Sequence, residues 1–152
     1  MRVTKGFAKN VEVIGFNELN SKTGFQMAMQ SVNGKYYLYM CHYKDSGWAI
    51  LDVTEPASPK YLKFIPGPNK EGQGTPKIQV ADGIMITSLG GIVPFLHGTK
   101  STDHDEGIMI WDVKDPENPN HLSTWYTGTN GLGVHRFVCN ATDSVVCLSP
   151  HG

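Results

Sequence analysis

Helical periodicity is missing from this 152-residue chain, and so is any long apolar run. Gly91-Ile92-Val93-Pro94-Phe95-Leu96 is short and irregular, far below the roughly 20 residues of a membrane span. Charge of one sign is also scarce: 13 Lys and Arg face 14 Asp and Glu, with no basic stripe. A protein that grips nucleic acid through counterion release is therefore not expected. Cysteine is limited to Cys41, Cys139 and Cys147. An odd count with no signal-peptide pattern argues against a disulfide framework and for a reducing, cytoplasmic setting. A disordered tail is excluded by composition, since 39% of the residues are hydrophobic.

What is present is strand-like. Apolar residues alternate or run in groups of four to eight, rich in Val, Ile, Tyr and Met, between Gly, Pro, Asn and Asp. A sixty-residue repeat organises them. Gly47-Trp48-Ala49-Ile50-Leu51-Asp52-Val53 with Thr54-Glu55-Pro56-Ala57-Ser58-Pro59 returns as Gly107-Ile108-Met109-Ile110-Trp111-Asp112-Val113 with Lys114-Asp115-Pro116-Glu117-Asn118-Pro119. Each copy is preceded by two strands around a hairpin signal, Asn33-Gly34 in one and Asp82-Gly83 in the other.

Four strands per repeat in meander order describe an all-β protein built from β-propeller blades of four antiparallel strands. Residues 25–65 and 76–126 read as two whole blades, and 134–152 as half of a third. Residues 11–16 read as a lone outer strand. The two Asp-Val and Pro-x-x-Pro segments resemble the LVIVD-repeat propeller family, whose hallmark is an apolar strand, Asp-Val or Asp-Ile, then a Ser/Thr-Asp-Pro-x-x-Pro turn. Glu55 and Lys114 depart from that pattern. The resemblance implies a fold and is silent on function. The ring is incomplete in this chain, because two and a half blades would expose apolar faces and a strand edge. The remaining blades are expected from a longer chain, favoured by the lone outer strand, or from a second chain. Expressed alone, the chain is not expected to be a soluble monomer.

Meander topology places Tyr43–Ser46, Pro66–Thr75, Gly90–Glu106 and Tyr126–Gly133 on one loop-rich face, the candidate binding face. His42, His97, His104, His135 and His151 fall there or at the channel mouth. Imidazole is a metal ligand and a general base near neutral pH. His42, His135 and His151 are therefore candidate ligands of a divalent metal, with His135 and Arg136 as candidate catalytic groups. The loop 97–106 adds two imidazoles and three carboxylates, in no defined metal spacing. Gln26 and Lys77 stand at matching strand starts and are candidate substrate-binding residues. Cys139 and Cys147 read as small core residues, and Trp48 and Trp111 as packing between blades.

Two functions follow as expectations. One is a metal-dependent hydrolase or lyase acting on a small oxygenated substrate at the channel mouth. The alternative is a non-catalytic module whose loop-rich face binds a protein or a carbohydrate. Neither involves a membrane.

Overall fold

The computed structural model describes residues 9–42, 44–91, 103–128, 131–140 and 145–151. It is all-β and antiparallel. The first sheet is a meander of β1 (Gly24–Val32), β2 (Lys35–His42), β3 (Gly47–Asp52) and β4 (Lys60–Pro66). A two-residue strand, β5 (Gln73–Gly74), leads into the second meander. That meander comprises β6 (Ile78–Ala81), β7 (Ile84–Gly91), β8 (Gly107–Asp112) and β9 (Asn120–Tyr126). A hairpin of β10 (Gly133–Asn140) and β11 (Val145–His151) follows, joined to β7 through Gly133 and Gly90. Among the described residues no helix is long and apolar enough to cross a membrane.

Local chemistry explains these elements. Asn33 (φ 51°) and Gly34 (φ 77°) close β1 onto β2, and Asp82 (φ 49°) and Gly83 (φ 74°) close β6 onto β7. Positive φ at both central positions is the hairpin geometry that Asn-Gly and Asp-Gly tolerate. The repeat is equally concrete. Asp52 Oδ1 accepts the Thr54 amide at 2.9 Å, and Asp112 Oδ1 accepts the Lys114 amide at the same distance. The strand after each turn carries a register shift at the same place, Ile50/Leu51 and Ile110/Trp111. The prolines sit between the strands, where no ladder donor is needed.

The sheets stack face to face. Tyr37, Tyr39, Cys41, Trp48 and Ile50 of the first sheet meet Ile78, Met85 and Trp111 of the second. Trp48 and Trp111 pack edge-on, with ring centroids 5.0 Å apart. Such a pair adds about 0.5–1.5 kcal/mol beyond its buried area. On its other face the second sheet presents Ile86 and Ile108 to Val134, Phe137, Val146 and Leu148 of the hairpin. Apolar side chains on both faces of the middle sheet are what such stacking requires.

Two expectations need correction. Residues 11–16 form no strand, and Val11, Val13, Ile14 and Phe16 are exposed. The segment is instead tethered beside the first sheet by Asn17, whose Nδ2 donates to the Pro59 carbonyl at 3.0 Å. With no ladder partner for its backbone among the described residues, its apolar alternation alone does not make a strand. Cys147 is exposed, because it shares with Val138 the face of the hairpin turned away from the second sheet.

Candidate functional site

The first strands of the three units, β1, β6 and β10, lie side by side. The backbone gap between β6 and β10 is stitched by Gln79. Gln79 Nε2 donates to the Phe137 carbonyl at 2.9 Å, while its Oε1 accepts the Cys139 amide at 2.8 Å. Gln30 Nε2 donates to the Val113 carbonyl at 2.7 Å, across the first and second sheets. Satisfying exposed strand groups with side-chain amides lets the strands approach without a shared ladder.

Gln26 in β1, Lys77 just ahead of β6 and Arg136 in the first half of β10 each stand one residue ahead of an apolar residue (Met27, Ile78, Phe137). The three line one cavity of about 250 Å³, together with Gln79, Phe137 and Val138. The wall thus carries two cations and two amides and no carboxylate. Among the described residues neither Lys77 nor Arg136 has a carboxylate oxygen within 4.0 Å. Lys77 Nζ instead lies over the Phe25 ring, 4.9 Å from its centroid. A cation held by an aromatic face keeps its charge available to an incoming anion.

The histidines are distributed differently. His42 is fully buried at the end of β2. Its Nδ1–H donates to the Thr23 carbonyl at 2.9 Å, and its ring packs edge-on against Phe64. Burial holds its pKa below the usual imidazole value, partly offset by the Thr23 bond. The ring is therefore neutral at pH 7, with Nε2 buried and without a partner among the described residues. His135 is exposed on β10, next to the register shift between Val134 and Arg136, and is not in the cavity wall. The backbone of His151 pairs with Gly133 at the end of β11. His97 lies outside the described residues. His104 reaches the Gly131 carbonyl at 3.2 Å and the Glu106 carboxylate at 3.7 Å. Among the described residues no group of three or more His, Cys, Asp or Glu side chains could hold a metal ion.

Gln26, Lys77 and Arg136 are brought together, whereas the histidines are not gathered with them. Sequence reasoning missed Gln79, which lines the cavity two residues beyond Lys77. Its position on the same strand face was a usable signal, since residues two apart share a face. The burial of Cys41 pushes its thiol well above the usual range, which leaves it inert as a nucleophile. Compared with known proteins, the chain matches no family model and no curated relative.

Proposed function

We propose that the three stacked units are consecutive blades of a β-propeller akin to the LVIVD-repeat proteins, and that their innermost strands bind a small anionic ligand. Its chemical class is a carboxylate or a phosphate of a few carbons. The observation that carries this reading is the convergence of Gln26, Lys77 and Arg136 on one cavity from the three units. Arg136 offers a planar fork suited to two oxygens of an oxyanion, and Lys77 a point charge. The amide of Gln26 adds a polar group beside them, while Phe137 and Val138 bring apolar atoms to the wall. No imidazole or carboxylate lines the wall, so the described residues supply binding and no general base. The reading is thus a ligand-binding module with a rigid β platform.

Titration calorimetry of the purified chain with inorganic phosphate and with succinate, at low ionic strength, tests it. Saturable binding is expected for at least one of the two anions. Lys77→Met and Arg136→Met should each weaken it about 10–100-fold, the loss of one charge-assisted hydrogen bond of roughly 1.5–3 kcal/mol. Salt should weaken it as well. Absence of saturable heat with both anions, or binding indifferent to both substitutions, would overturn the reading.

A further inference from the structure

The polar side chains on the wall of the anion cavity are Gln26, Lys77, Gln79 and Arg136, and they differ in how far they are already committed. Both ends of the Gln79 amide serve β10, Nε2 at the Phe137 carbonyl and Oε1 at the Cys139 amide. Lys77 and Arg136 carry donors and no acceptor. Gln26 is different. It is half-buried, and its Oε1 is shielded from solvent with no hydrogen-bond partner among the described residues. Among the described residues of the wall it is the one uncommitted side-chain acceptor.

The backbone singles out the same residue. β1 and β2 keep a regular register except between Gly24 and Met27, and Gln26 lies inside that irregular stretch. The shift in β10 falls between Val134 and Arg136, so Arg136 borders one as well. Lys77 precedes β6, and its amide donates to the Ser88 hydroxyl at 3.1 Å. Each of the three thus stands where regular pairing breaks. Such irregularities turn a side chain out of the strand alternation and gather next to functional sites.

An acceptor left unmet away from water is costly. A donor on the bound molecule would meet it, because the last torsion of a glutamine is broad and lets the amide turn toward the cavity. The charges of the wall select the kind of donor. An ammonium would face the positive charges of Lys77 and Arg136, and like charges across a contact cost affinity. A hydroxyl is neutral and escapes that cost.

We propose that the ligand is a hydroxy acid, whose carboxylate is taken by Arg136 and Lys77 and whose hydroxyl donates to Gln26 Oε1. This rests on the anion-binding reading above and narrows it from small anions in general to hydroxylated carboxylates, with Gln26 as the residue that sets the preference.

Titration calorimetry of the chain with malate, succinate and aspartate tests it. These four-carbon dicarboxylates differ in bearing a hydroxyl, a hydrogen or an ammonium at one carbon. Malate should bind about 3–10-fold tighter than succinate, the size of one neutral hydrogen bond. Aspartate should bind more weakly than succinate. Gln26→Leu should bring malate down to the affinity of succinate and leave succinate within about twofold of its value, since it removes no charge. Gln26→Met, which keeps the unbranched shape, should do the same. Equal binding of malate and succinate by the natural chain would overturn this inference and leave the anion site standing. So would a preference for malate that survives both substitutions, or binding of inorganic phosphate with none of the three acids. No saturable binding of phosphate or of any of the acids would sink the anion site itself, and this inference with it.

Discussion

Gly47 and Gly107 begin the third strands of successive sheets, and opposite them stand His42 and Leu89. The two glycines do the same work. Their φ values are 147° and 154°, and a Cβ would run into the Ile65 carbonyl in one and the Trp125 carbonyl in the other. The residues facing them share a buried place and differ in chemistry: a histidine holding the Thr23 carbonyl, and a leucine. Backbone devices repeat because the strand geometry needs them. Side chains diverge where each sheet meets a different neighbour. The comparison teaches that the repeat fixes the stack, while the residues at strand entries carry whatever is particular to this protein.

The largest effect should come from the contact between the two sheets. Trp48→Ala removes a fully buried indole and its edge-on partner in Trp111, and should cost about 3–5 kcal/mol. Urea denaturation measures it. A cost below about 1 kcal/mol would mean that the sheets do not depend on this contact.

His42→Leu sharpens the comparison by giving the first sheet the residue of the second. Burial lowers the folded-state pKa of His42, so the unfolded chain binds its proton more readily. The stability due to neutral His42 is thus complete above the unfolded value near 6.5 and falls as pH drops below it. Midpoints of urea unfolding at pH 7.5 and pH 5.5 should diverge for the natural chain. They should diverge less for His42→Leu, which should also be close to neutral or stabilising at pH 7.5, since it removes a buried Nε2 that has no partner among the described residues. Equal pH dependence in both chains would show that His42 is not the titrating group.

The smallest effect concerns the two turns. Asp52→Ala and Asp112→Ala each remove one side-chain acceptor of a backbone amide two residues on. Each should cost about 0.5–1.5 kcal/mol, and the two costs should agree within error. A clear difference in thermal midpoints would mean that the repeated turns are not energetically equivalent.

Much of this was readable from the residues. Asn33-Gly34 and Asp82-Gly83 announced their hairpins, and the Asp-Val and Pro-x-x-Pro segments announced the strand ends, because each signal is local and steric. The role of Trp48 and Trp111 in packing between units was readable from their place in the repeated strands, whereas their edge-on contact with each other was not. Gln26, Lys77 and Arg136 could be nominated because matching strand starts must lie together once the units stack. What escaped depends on neighbours. Residues 11–16 alternate like a strand, yet a strand needs a partner, which no alternation supplies. Cys147 reads as core until the open face of its hairpin is seen. The histidines share a loop-rich side by sequence, but His42 turns to Thr23 and His135 lies outside the cavity wall, a matter of side-chain direction that spacing does not encode.

The most direct test is crystallographic. Crystals of the chain soaked in tungstate, a heavy oxyanion, should give an anomalous peak within hydrogen-bonding distance of both Lys77 Nζ and the Arg136 guanidinium. Ordered tungstate elsewhere on the protein, with that cavity empty, would contradict the claim that the three units converge to hold an anion.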